Sequence, residues 1–384
     1  MANFTFYNNQ LVFQSNNRVC QTSKELIETK LFKELTEKYL KNKQPPLLNI
    51  EHKQLIKLLT LLTEHPKETI IKNNPELASF FSNQHLLKRF ITEFYNYWRN
   101  FERFFIYHSN NNSESPPHTK PYRTFNNTIE HLNHLARKTY RDITENITNT
   151  HPRIYRQIPS AFQVGIITST QTQNHPYTEL KEIPFIKQIL LEPPLILNPP
   201  MNKRTGTFQK IDTNPLENIK INPAHWLCYP AKVGELTIHL YFHNKFINLG
   251  SSLANLFKLA HKEDLEKKPD AIYLFGIKNQ FDQPVFFEDK ENNILLATTP
   301  EKEEFGYFGY LKKMALTLHN TIMIKKGKLP IHGAMVNISL KNNKTANIIL
   351  IGDTGTGKSE LLEAFRILAD EHIKDTTIIF DDMG

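Results

Sequence analysis

The sequence has few cysteines, no long apolar run and no glycine before Gly165. The two cysteines, Cys20 and Cys228, exclude a disulfide framework and a cysteine-based metal site, which favours a reducing compartment. No run approaches the ~20 apolar residues of a membrane-spanning helix. Residues 1–10 also lack the charged and apolar segments of a secretion signal. The sequence therefore predicts a cytoplasmic protein without a membrane partner.

The composition is that of a folded protein, with 384 residues, 39% hydrophobic and 11% aromatic content. The formal net charge of +8 arises from lysines and arginines spread through helical segments that also contain glutamates. We interpret most of them as solvated faces and a smaller share as the lining of a pocket for anionic substrates. A nucleic-acid partner is not expected.

Glycine divides the chain, because eight of the thirteen glycines lie at or after Gly306. Apolar residues at helical spacing predict a helical N-terminal region over residues 1–150. Its aromatic stripe, interpreted as packed core, comprises Phe90, Phe94, Trp98, Phe101 and Phe105. Residues 108–121, rich in Asn, Ser and Pro, are predicted to be an exposed linker.

Shorter β-like runs begin near Val164 and predict an α/β substrate-side domain over residues 151–305. The predicted strands are 164–169, 236–242, 271–275 and 284–287. Residues 306–384 are predicted to begin a nucleotide- and metal-binding domain. The expected fold class is α/β, or α+β for the whole chain.

The strongest motif follows a short apolar run at residues 346–351, which predicts a buried strand. Glycines at this position let successive backbone N–H groups point at phosphate oxygens, and the helix predicted from Glu360 adds its N-terminal partial charge. Lys358 would reach the β and γ phosphates, and Ser359 would place its hydroxyl on Mg²⁺. This predicted phosphate loop for ATP comprises Gly352, Asp353, Thr354, Gly355, Thr356, Gly357, Lys358 and Ser359.

A second apolar run, residues 376–380, predicts a second buried strand that ends in Asp381 and Asp382. Carboxylates at the end of a strand beside a phosphate loop are where an α/β sheet holds a metal. Both aspartates are therefore candidate metal ligands.

Upstream of the loop lie Tyr307-Phe308-Gly309-Tyr310-Leu311-Lys312-Lys313 and then Leu329-Pro330-Ile331-His332-Gly333. Together with the loop and the paired aspartates, these segments resemble ATP-dependent phosphoenolpyruvate carboxykinase, whose Tyr-x-Gly-x-x-Lys-Lys segment and histidine precede the same two features. The resemblance covers residues 307–382. Residues 203–206 also resemble, more distantly, a substrate-binding Arg-Ser-Pro-Lys segment of that family.

The resemblance implies Mn²⁺ bound by Lys313, His332 and Asp382, and catalytic roles for Tyr307, Lys313, Lys358 and Arg204. An amine, an imidazole and a carboxylate suit a borderline first-row cation. The implied reaction is that of a lyase, which converts oxaloacetate and ATP to phosphoenolpyruvate, CO₂ and ADP in gluconeogenesis. The family has its adenine pocket further along the chain, so we expect the domain to be incomplete at Gly384.

Three details differ from the carboxykinase pattern. Ser359-Glu360 stands where Thr-Thr is usual, Gly333 follows the histidine, and no Glu-His follows Asp382. These details are similar to HPr kinase/phosphorylase, so a protein kinase or a small-molecule serine kinase is the second hypothesis. A third is a non-catalytic ATP-binding regulatory protein whose helical N-terminal region contacts a protein partner.

Overall fold

The protein folds into two compact units that each draw on separate parts of the chain. A computed structural model describes residues 3–16, 19–42, 51–109, 121–155, 158–170, 176–192, 195, 197–204, 206–217, 219–352, 355–368 and 372–381. Unit 1 comprises Met1–Pro199, Lys220–Tyr229 and Phe242–Ala254, and unit 2 comprises Pro200–Ile219, Pro230–Tyr241 and Asn255–Gly384. Helices occur together with a large mixed β-sheet, which confirms an α/β protein at this level. The division into domains 1–150, 151–305 and 306–384 stays a prediction.

Unit 1 combines amphipathic helices with parallel and antiparallel strands. Its helices are α1 (Ser23–Glu28), α2 (Lys30–Asn42), α3 (His52–Leu62), α4 (Lys67–Asn73), α5 (Gln84–Arg99), α6 (Pro121–Thr148) and α7 (Ile247–Ser252). Its strands are β1 (Asn3–Tyr7), β2 (Gln10–Ser15), β3 (Glu102–His108), β4 (Val164–Ser169) and β5 (Phe185–Leu191). The apolar faces of α3 and α5 meet in one core with Tyr39, Ile143 and Ile147.

The aromatic stripe does not form a single helix, and this part of the prediction is wrong. Helix α5 ends at Arg99, and Phe105 lies in β3. Strand β3 pairs in parallel with both β2 and β4, so its apolar residues are buried on both faces. These partners are distant in sequence, and the local spacing of aromatic side chains carries no sign of them. Strands therefore begin far before Val164.

Arg103 explains why the helix stops where it does. Its side chain is 2% exposed, and its guanidinium stacks on the ring of Trp98, 5.3 Å from the centroid. It donates hydrogen bonds to the carbonyl oxygens of Trp98, Arg99, Phe101 and Ala161. Carbonyls at the end of α5 thus receive donors that a further helical turn would otherwise supply.

Unit 2 contains the C-terminal segments in which the sequence predicts a nucleotide and metal site. Its strands are β6 (Gln209–Ile211), β7 (Trp226–Val233), β8 (Leu236–His243), β9 (Lys258–Leu259), β10 (Ala271–Ile277), β11 (Val285–Asp289), β12 (Ile294–Pro300), β13 (Gly333–Leu340), β14 (Thr345–Ile351) and β15 (Ile373–Asp381). Residues of β7 and β8 belong partly to unit 1. The helices are α8 (Lys262–Leu265), α9 (Phe308–Lys325) and α10 (Lys358–Leu368).

The predicted strands are present as β4, β8, β10, β11, β14 and β15. The burial predicted for residues 346–351 and 376–380 is wrong, because β14 and β15 are largely exposed, with Ile351 73% and Ile378 50% exposed. The three-stranded sheet packs α10 against one face only, so the apolar side chains on its other face remain uncovered within the described residues. The predicted linker falls largely on residues 110–120, which lie outside the described residues. In the described part of the chain, no helix has the length and apolar character needed to cross a membrane.

Candidate functional site

A three-stranded sheet in unit 2 brings several predicted site residues to one end of its strands. Strand β13 lies between β14 and β15 and is antiparallel to both. The first residues of β13 therefore lie beside the last residues of its two neighbours, with Gly333 opposite Ile351 and Ala334 opposite Asp381. His332 directly precedes β13, and the predicted phosphate loop directly follows β14. The histidine, the loop and the aspartate thus meet at the same end of the sheet.

The loop has the backbone that its glycines predict. Gly355 and Gly357 both have φ of +82°, a region that side-chain-bearing residues rarely adopt. A Cβ on Gly352 would lie 2.7 Å from the hydroxyl oxygen of Thr356, so a side chain there would require the Thr356 hydroxyl to move. Asp353 and Thr354 lie outside the described residues.

Lys358 is the first residue of α10, and its side chain folds back across the loop. Its Nζ donates a hydrogen bond of 2.7 Å to the carbonyl oxygen of Gly352. The ammonium group is therefore held over the turn that would surround a phosphate. The predicted helix after the loop is confirmed, and its face carrying Leu362 packs on Ala334, Val336 and Ile338 of β13.

Ser359 and Asp381 form a direct contact. The Ser359 hydroxyl donates to Oδ1 of Asp381 at 3.0 Å, and both residues are exposed. A hydroxyl and a carboxylate oxygen this close are suitable ligands for Mg²⁺, which prefers oxygen donors. The second predicted aspartate, Asp382, lies outside the described residues.

Tyr307 and Lys313 lie at the start of α9, which packs against β10 and β12. Tyr307 precedes the first helical turn, and Lys313 is half-buried on the helix. The spacing of Tyr307 and Gly309 has a packing reason, because a Cβ on Gly309 would lie 2.3 Å from the Tyr307 ring. The aromatic side chain therefore covers the position where glycine is required.

The segment that carries Arg204 contacts the same end of α9. The backbone N–H of Gly206 donates to the Tyr310 hydroxyl at 2.9 Å. Arg204 donates to the Gly206 carbonyl at 2.8 Å and stacks on the Phe208 ring at 4.9 Å. The structure thus brings the Arg204 segment to the segment that contains Tyr307 and Lys313.

Tyr310 is the residue whose role sequence reasoning missed. Its side chain is 1% exposed, and its hydroxyl fixes the Arg204 segment through Gly206. It stands inside the Tyr-x-Gly-x-x-Lys-Lys segment, but a tyrosine at this position of an apolar helix indicates only core packing. No local pattern pointed to a partner about a hundred residues away.

The predicted Mn²⁺ ligands are only partly described. No group of three His, Cys, Asp or Glu side chains suited to a metal occurs among the described residues. That observation does not bear on the predicted set, because the set includes a lysine, Lys313, and Asp382. His332 is exposed at the start of β13, on the side where the phosphate loop and Asp381 lie.

The chain matches no protein-family model, and a search of curated proteins found no match. The likeness to carboxykinases and HPr kinases therefore rests on the motifs and their order.

Proposed function

We propose that the protein is an ATP-dependent enzyme of the phosphoenolpyruvate carboxykinase type, which converts oxaloacetate and ATP to phosphoenolpyruvate, ADP and CO₂. The observation that supports this proposal most is that His332, the predicted phosphate loop and Asp381 lie at the same end of the three-stranded sheet. A histidine and a carboxylate beside a phosphate loop provide metal ligands next to a nucleotide. This is the arrangement that the reaction requires.

The loop would hold the triphosphate through its backbone N–H groups and through Lys358. Because the Lys358 ammonium already spans the loop to Gly352, ATP would exchange one acceptor for another without a large movement. Ser359 and Asp381 would hold Mg²⁺ at the same place. Lys313, His332 and Asp382 would hold Mn²⁺.

The reaction breaks the bond between the departing carboxylate carbon and the methylene carbon of oxaloacetate. The electron pair forms an enolate, whose oxygen attacks the γ phosphorus while ADP leaves. The chemistry that the bound cations supply is stabilisation of negative charge on the enolate and phosphate oxygens. Arg204 is exposed and has donors left for a substrate carboxylate, since a guanidinium offers five N–H groups.

A kinase related to HPr kinase/phosphorylase is the second candidate, and the resemblance of the His332-Gly333 and Ser359-Glu360 pairs to that family favours it. A Cβ on Gly333 would lie 2.5 Å from the Leu350 carbonyl oxygen, so the His332-Gly333 pair has a structural requirement for glycine. The resemblance associates His-Gly before a Gly-Lys-Ser-Glu loop with that family. Such an enzyme would transfer phosphate to a hydroxyl and would not use oxaloacetate.

ATP binding to the loop is tested by Lys358→Ala in the full chain, measured by titration calorimetry. Charged hydrogen bonds contribute about 1.5–3 kcal/mol, so we expect ATP affinity to fall about tenfold or more. Lys344→Ala is the matched control, because Lys344 is an exposed lysine at the far end of the β13–β14 hairpin. Equal ATP affinity in the two variants would remove the loop from the proposal.

A further inference from the structure

Unit 1 contains an apolar cavity that the proposed reaction does not use. Its volume is about 120 Å³, and it lies between α1, α2, α3, α5 and α6. Leu35, Leu59, Phe94, Trp98 and Ala136 are among its lining residues. The cavity is partly open to solvent, and its wall is almost entirely apolar.

Four polar side chains in the wall are hydrogen-bonded to other protein groups. The hydroxyls of Thr29 and Thr139 donate to the carbonyl oxygens of Leu26 and Leu135. The Tyr140 hydroxyl is bonded to the hydroxyl of Thr92 at 3.2 Å, and Trp98 donates its indole N–H to the Ser160 carbonyl. The hydrogens of these groups are already donated to protein acceptors. A polar or charged ligand would therefore lose hydrogen bonds to water without receiving replacements from these groups.

The size and chemistry of the wall define the ligand class. An engineered enclosed cavity of about 150 Å³ lined by aliphatic and aromatic side chains binds benzene, and the wall of this cavity has the same kinds of side chain. Aromatic walls such as the stacked pair Tyr95 and Tyr140, 4.3 Å apart, offer ring faces and edges to a guest. Ala136 is half-buried and lines the cavity, so a larger side chain at this position would extend into it.

We propose that this cavity is a binding site for an uncharged hydrocarbon ligand, with the size of one aromatic ring or a short alkyl chain. The proposal concerns residues of unit 1 alone and does not depend on the reaction assigned to unit 2.

Trp98 provides the test, because it lines the cavity and the chain has only two tryptophans. In a Trp226→Phe protein, Trp98 is the one fluorescent indole, and iodobenzene quenches it by direct contact. We expect quenching that saturates as iodobenzene is added. Quenching that only rises linearly, as it does in random collisions, would overturn the proposal.

Filling the cavity separates binding from surface contact. Ala136→Leu in the same background should weaken the saturable quenching about tenfold, since the added side chain occupies the site. Ala78→Leu is the control, because Ala78 is a half-buried alanine outside the cavity wall. Equal quenching in the two variants would contradict the assignment.

One measurement requires no substitution and therefore does not depend on whether a variant folds. Benzene added to the unaltered protein should raise the midpoint of thermal unfolding followed by helical circular dichroism, because a ligand that binds only the folded state stabilises it. An unchanged midpoint at saturating benzene would overturn the proposal.

Discussion

The Ser359 hydroxyl meets the Asp381 carboxylate although the two residues are 22 positions apart in the chain. The contact joins the first turn of α10 to the last residue of β15. It also places a carboxylate next to the loop that Lys358 spans. A negative group here would repel ATP phosphates unless a cation lies between them, so this pair is a specific argument for Mg²⁺ at the loop.

Asp381→Asn tests whether this carboxylate binds Mg²⁺. The amide can still accept the Ser359 hydrogen bond, but it no longer attracts a divalent cation. We expect the gain in ATP affinity on adding Mg²⁺ to fall about tenfold, while ATP affinity measured in a chelator stays equal or rises. Calorimetric titrations with and without Mg²⁺ give both values.

Asp375→Asn is the control for this charge change, because Asp375 lies on the same strand opposite Ser339, at the other end of the sheet. It should leave the effect of Mg²⁺ on ATP affinity unchanged. An Asp381→Asn protein with the full Mg²⁺ effect would mean that the carboxylate holds no cation.

Among the secondary-structure elements, β13 is the one that assembles the site. It pairs with both β14 and β15, and its face opposite the solvent supports α10 through Ala334, Val336 and Ile338. The loop, the aspartate and His332 therefore hold their positions only while β13 is paired on both sides.

Gly333→Ala tests this dependence on one strand. The new Cβ would meet the Leu350 carbonyl oxygen at 2.5 Å, which is backbone and cannot rotate away. Forced overpacking costs about 1–3 kcal/mol, so we expect a lower free energy of unfolding and faster hydrogen exchange along β14. ATP affinity should fall as well, because β14 leads into the loop.

Ser339→Ala, on the same strand, is the matched substitution and should leave hydrogen exchange in residues 348–351 unchanged. If Gly333→Ala exchanged no faster than Ser339→Ala, the close approach of β13 to β14 would not be holding the loop.

The elements differ in how much of them the sequence could predict. The sequence predicts β14, β15 and α10, because each is an apolar run that borders glycines or aspartates. These local signals determine the structure of the three elements. The junction of α5 and β3 is not evident, because the aromatic spacing from Phe90 to Phe105 continues across it. What ends the helix is Arg103, bonded to backbone carbonyls that include Ala161 far along the chain.

In the whole molecule, four motifs follow one another along the chain in the order that the resemblance predicts. The three-stranded sheet brings His332, the predicted phosphate loop and Asp381 to the same end of its strands. The role of Tyr310 could not be predicted, because it depends on a segment that precedes α9 by about a hundred residues. The predicted contacts of Lys313 with a metal also stay a prediction. The cavity lies in unit 1 and the predicted phosphate loop in unit 2, so each can be tested while the other is left unaltered.

We propose that the full-length protein forms phosphoenolpyruvate, and phosphorus NMR of that protein with oxaloacetate, ATP, Mg²⁺ and Mn²⁺ tests this proposal most directly. We expect the phosphoenolpyruvate signal to grow as ATP is consumed. Lys313→Ala should abolish it while ATP affinity is kept, since Lys313 would act through the metal at the enolate and not through the phosphate loop. Lys326→Ala, an exposed lysine just past the end of α9, should keep the activity. Phosphorylation of a hydroxyl acceptor without phosphoenolpyruvate, or no phosphoenolpyruvate at all from a protein that binds ATP, would contradict the account.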